Sequence, residues 1–136
     1  VAPFTRLLAA YAGATAVFLT VDLLWLGVVA RDLYRRHLGA FLADDVNWAA
    51  ALVFYLLFIV GIFIFAVLPA AERESSRHAL VMGALFGFFT YATYELTNLA
   101  TMDGWPLPIV FVDIAWGMTL TAVTSLTGFF FLRWLA

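Results

Sequence analysis

Three carboxylates stand inside long apolar stretches of the chain: Asp22 in "VDLLWLG" (21–27), Glu95 in "YATYELTNLAT" (91–101) and Asp113 in "VDIAWG" (112–117). An ionisable group in apolar surroundings is costly, so such a residue marks a ligand or proton site, or has a specific structural partner. Carboxyls gathered in one place suit proton coupling, cation binding or general acid–base chemistry. Asp22 and Asp113 are each followed three residues later by a tryptophan, Trp25 and Trp116. In a helix that spacing puts acid and indole on one face.

The elements that must carry these residues follow from composition. The chain has 136 residues, 65% of them hydrophobic and only 12% charged, with a mean hydropathy of +1.01. A soluble domain is about half apolar and about a quarter charged, and a small one cannot hide such an excess. Four apolar runs, about 7–29, 47–69, 79–101 and 109–132, are each long enough to cross a ~30 Å hydrocarbon core as a helix. The fold class expected is all-α: one polytopic transmembrane domain over 1–136, with four transmembrane helices. "ATA" at 14–16 has the look of a signal-peptidase site, but the apolar run continues past it, so a span is the better reading.

The first link differs from the others. In "RDLYRRHLGAFL" (31–42), Leu33, Tyr34, His37, Leu38, Phe41 and Leu42 share one helical face, with Arg31, Asp32, Arg35 and Arg36 opposite. This is an interfacial amphipathic helix. It reads first as an anchor and second as a lid over what lies below. The third link, "MDGWPLP", ends in Pro108, suited to the first turn of the fourth helix.

The acids fall at one depth. Measured from the face bearing the first and third links, Asp22 lies ~10 Å down, Glu95 ~9 Å and Asp113 ~6 Å at a rise of ~1.5 Å per residue. Asn98, Tyr55, Tyr91 and Tyr94 belong to the same layer, whereas the opposite half has no acid. The shape implied is a blind pocket rather than a channel. Because the first and fourth helices run antiparallel, Trp25 comes level with Asp113, and Trp116 with Asp22. A reciprocal pairing is expected, each indole N–H reaching the other helix's carboxylate. Trp48, Trp105 and Trp134 are expected in the aromatic belt. The repeated V-D-x-x-W could also be a trace of inverted repetition, and the acids could be inert glue between helices.

Other chemistry is narrowed by what is missing. There is no Cys and no Lys, and His37 and His78 lie outside the spans, so thiolate, Schiff-base and haem chemistry have no usual residue type. No cofactor and no metal site is expected, although Asp, Glu and Asn could hold a hard cation. A net charge of −2 gives no basis for nucleic-acid binding. "GALFG" (83–87) permits close helix contact, within the chain or in a homodimer. Arg6, Arg73, Arg77 and Arg133 flank one face, against Arg31, Arg35 and Arg36 on the other. That small excess favours both termini in the cytoplasm.

With "VDLLWLG", "NWAAALVFYLLF", "YATYELTNLAT", "GWPL" and "VDIAWG" in this order, nearly the whole chain resembles a family of small bacterial membrane proteins. That family is a domain of unknown function with four membrane helices. The resemblance implies an inner-membrane protein and assigns no activity. Asp22, Trp25, Asn47, Trp48, Tyr94, Glu95, Asn98, Trp105, Asp113 and Trp116 fall on its motif positions; the family usually has aspartate where this chain has Glu95.

The functional expectation is binding or transport of a small molecule, ion or lipid-like ligand at an intramembrane acidic pocket of Asp22, Trp25, Tyr94, Glu95, Asn98, Asp113 and Trp116. Two alternatives stand beside it: a membrane enzyme using two of the three acids, and a non-catalytic subunit of a larger membrane complex.

Overall fold

The computed structural model describes residues 3–136. Among the described residues five helices follow one another: α1 (Phe4–Val29), α2 (Arg31–Leu38), α3 (Trp48–Glu72), α4 (Ser76–Thr101) and α5 (Leu107–Trp134). Four of these are long and apolar enough to span a membrane. Large apolar side chains such as Val28, Leu57, Phe89 and Phe111 point outward from them. Exposed apolar surface of this extent needs lipid around it.

Helix starts follow local chemistry. Asn47 caps α3, its side chain accepting from the Ala50 N–H at 3.1 Å, and Ser75 caps α4 through the His78 N–H at 3.1 Å. Pro108 sits in the first turn of α5, where no intrahelical N–H is lost.

Two wide, π-type turns interrupt the spans. The one at Phe63–Val67 in α3 precedes Pro69, whose ring and missing N–H would conflict with the carbonyl of Phe65 in a regular α-helix. The other, Trp25–Val29, ends α1 with the Ala30 N–H donating to the Trp25 carbonyl at 2.7 Å. The chain then turns into α2, which is shorter than the 31–42 segment expected. Helix α2 stops at Leu38, and Gly39 and Ala40 let the chain fold back, so that Phe41 packs on Trp105 with ring centroids 5.1 Å apart.

Helix α5 is the hub. It packs along α4 over the greatest length and against α1 next. The α4–α5 contact is close because Gly83 and Gly87 face the α5 backbone. A Cβ at Gly87 would come 2.3 Å from the Gly117 carbonyl oxygen, and one at Gly83 2.9 Å from that of Thr121. "GALFG" is therefore used inside the chain. On the terminal side of the acids, α3 meets α4 and α5 through Phe63–Val67, and Phe18, Ile59, Ile62 and Leu120 fill the core.

The threonine hydroxyls of α5 in that half are spent locally, whereas the buried Thr15 and Ser125 hydroxyls have no partner among the described residues. Thr121, Thr124 and Thr127 each donate to the carbonyl four residues earlier in α5. They give the terminal half no polar lining.

Candidate functional site

Each acid is held by neutral aromatic donors. Asp22 is 5% exposed and has both oxygens engaged. The Trp116 indole donates to Oδ1 at 3.0 Å, and the Tyr55 hydroxyl to Oδ2 at 3.1 Å. Glu95, 1% exposed, accepts from the Trp105 indole at 2.9 Å. The half-buried Asp113 accepts from the Tyr34 hydroxyl at 2.8 Å, and it lies within hydrogen-bonding reach of Glu95. In a medium without water these donors replace the solvation that carboxyls require.

The Trp–Asp pairing is thus direct on one side and relayed on the other. Trp116 reaches Asp22 as expected. Trp25 does not reach Asp113. It stacks on Trp116, centroids 4.3 Å apart and planes 7° from parallel, and donates to the Tyr34 hydroxyl at 3.3 Å, which in turn donates to Asp113. Helix α2 inserts the tyrosine between them. Burial first, and then the neighbouring Asp113 carboxylate, push the Tyr34 phenol above its ordinary range, so it stays a donor.

Helix α2 is accordingly more than a surface anchor. Its Leu33, Tyr34 and Leu38 pack with Trp105, Ile109 and Val110 over the start of α5. Trp105, expected in the belt, is 8% exposed and turned inward. Gly104, at φ +77, makes the turn that points it back toward Glu95, a backbone conformation glycine adopts without strain. Trp48 and Trp134 do face outward.

The remaining expected residues divide. Tyr94 is 56% exposed on the outer side of α4. Its hydroxyl lies against Asn98 rather than against an acid. Tyr55, Tyr91, Tyr34 and Trp105 were not among the seven expected pocket residues. Tyr55 and Tyr91 already shared the acids' depth in the sequence. Tyr34 was visible only as part of an apolar stripe, and Trp105 only as a belt residue and a motif position.

A cavity of about 560 Å³ opens beside this layer. Its inner wall carries Asp22, Asp113 and Trp116, and its sides are Tyr55 and Phe58 of α3 and Thr90 and Tyr91 of α4. Phe58 bridges the helices at the foot of the gap, stacked on Phe86 at 5.4 Å and edge-on to Tyr91 at 6.2 Å. Phe54, 53% exposed, and Tyr94 form the lips. Phe54 is six residues into α3, ~9 Å below the helix end, so the mouth lies at hydrocarbon depth. Glu95 does not line the cavity. Among the described residues no group of three or more acids and histidines is arranged to hold a metal ion.

Fold and site together define a small polytopic membrane protein, a four-span bundle with a carboxylate layer held by aromatic donors. The chain belongs to the family described as predicted membrane protein, DUF2177, whose model matches residues 7–130. That agrees with the resemblance drawn from the motifs. No curated protein and no solved structure matches the chain.

Proposed function

We propose that this protein binds an amphiphilic, lipid-like molecule that enters sideways from the bilayer between α3 and α4. One observation carries the reading: the 560 Å³ cavity has an apolar, aromatic mouth at hydrocarbon depth and two carboxylates, Asp22 and Asp113, on its inner wall. That volume falls within the range of small-molecule sites. An alkyl chain lies through the mouth while its headgroup meets the acids. The locally bonded threonines of α5 support binding and release on one side rather than passage through the bundle. Catalysis by two acids is favoured less, because Asp22 has both oxygens occupied by donors and Glu95 is off the cavity wall. With both termini in the cytoplasm of a bacterial inner membrane, the cleft faces the outer leaflet.

The chain has no cysteine, so single thiols can be placed at will. A dodecyl methanethiosulfonate should label Thr90→Cys inside the cleft, and excess dodecyl maltoside should slow it. Labelling of Leu57→Cys on the lipid face should proceed unprotected, and buried Thr124→Cys should stay unlabelled. Thr90→Cys behaving like Thr124→Cys, or like Leu57→Cys, would overturn the lateral cleft.

A further inference from the structure

We infer that the headgroup this cleft takes is an ammonium group, on an amphiphile that carries no anion of its own. The inference rests on the lateral-binding reading above and adds the charge and class of the ligand.

The cavity wall presents two carboxylates and six aromatic rings, and no cationic side chain. The donors that hold Asp22 and Asp113 are two phenols and an indole. They satisfy hydrogen-bond acceptors and bring no positive charge. A positive headgroup would supply the missing countercharge in a medium of low dielectric. Around it, Tyr55, Tyr91 and Trp116 offer the ring surfaces that attract quaternary and primary ammonium groups. Tyr91 is fixed in place by lying across Gly117, where a Cβ would meet its ring at 2.2 Å.

The alternatives meet the same wall badly. An anionic head would face two carboxylates with no cation to receive it. A zwitterionic phospholipid would bring its phosphate to that wall together with its amine. An uncharged sugar head would leave the countercharge unsupplied. The single-charged ammonium amphiphile is the occupant whose charge and shape both fit. The apolar lips at Phe54 and Tyr94 then hold the first carbons of its chain.

The test uses the native chain in nanodiscs, with a headgroup series on one dodecyl chain: trimethylammonium, amine, phosphocholine, sulfate and maltoside. Binding is read by native mass spectrometry and by protection of Thr90→Cys. Both ammonium compounds should bind about tenfold or more tightly than the other three, as one added desolvated cation–π or charge contact would give. Asp113→Asn should shrink that preference toward the maltoside value. Equal binding across the series would overturn the ammonium assignment and leave the lateral cleft standing. Phosphocholine matching trimethylammonium would overturn the claim that an attached anion is rejected. Protection by none of the five would remove both readings. The series on the unmodified chain decides the matter even if Asp113→Asn fails to fold.

Discussion

Trp25 and Trp116 lie face to face, 4.3 Å between centroids and 7° from parallel, and only Trp116 holds a carboxylate directly. The stack ties the end of α1 to α5, and the hydrogen bond ties Asp22 to the same indole. The two contacts can be removed separately.

Trp25→Phe should abolish the exciton couplet of the stacked indoles in near-ultraviolet circular dichroism while leaving Asp22 paired. Trp116→Phe should remove the couplet and also the donor to Asp22 Oδ1. Each variant loses the stack and one indole hydrogen bond, Trp25→Phe the 3.3 Å bond to the Tyr34 hydroxyl and Trp116→Phe the 3.0 Å bond to a buried carboxylate. The second should therefore be the less stable by a fraction of a hydrogen bond, up to about 1 kcal/mol. Steric-trapping or SDS-unfolding measurements on both variants give the comparison. Equal stability would show that the Trp116 N–H on Asp22 is worth no more than the Trp25 N–H on Tyr34.

The Tyr34 phenol is raised by burial and by Asp113, and the sign of its linkage is fixed by that. In the unfolded chain a tyrosine ionises at about 10. Below that pH both states hold the proton and the full stability is present. As the pH climbs from there through the folded value, the unfolded state loses its proton first and stability falls. The margin of wild type over Tyr34→Phe should hold up to about pH 9 and shrink above it. Detergent-micelle melting curves of the two proteins between neutral and alkaline pH read that difference, with the other tyrosines common to both.

Trp105 depends on a turn that only Gly104 makes without strain, at φ +77. Gly104→Val should cost about 1–3 kcal/mol from the backbone alone. It should also move Trp105 away from Glu95, seen as a red shift in tryptophan emission. Trp105→Phe should cost less, because it deletes one hydrogen bond and keeps the ring. A Gly104→Val protein with unchanged emission would mean that the turn does not position the indole.

Glycine positions give a packing prediction with an internal control. Gly87→Ala drives a methyl into the α5 backbone at Gly117, and Gly117→Ala drives one into the Tyr91 ring. Each should destabilise by about 1–3 kcal/mol, the usual cost of overpacking. A Cβ at Gly27 would meet nothing within 4 Å, and Gly27→Ala should leave unfolding unchanged. Thermal or SDS unfolding of the three variants checks the order.

The acid layer was legible in the sequence because a charge inside an apolar run is conspicuous, and the helical rise converts its position into a depth. With Asp113 six residues into α5 and Glu95 six from the end of α4, both lie ~9 Å below their helix ends, level with Asp22. Antiparallel geometry likewise anticipated Trp116 against Asp22. Tyr34 and Trp105 were not anticipated as donors, since both come from links. Where a link folds back depends on tertiary packing, here the wide turn at Trp25–Val29, the end of α2 at Gly39 and the Gly104 turn. Nor was the sideways opening. It lies where the first part of α3 stands off α4, the two helices meeting through the wide turn ahead of Pro69. Hydrophobic periodicity carries none of that distance.

The shallow acid layer over a terminal half whose apolar runs hold no acid has an electrical consequence. A cation held at Asp113 has crossed about a third of the ~30 Å insulating slab. Moving one charge across the whole slab is worth ~2.3 kcal/mol per 100 mV. Occupancy of the site would then change by about threefold for each 100 mV, with a sign that reports which face of the membrane the cleft lies toward.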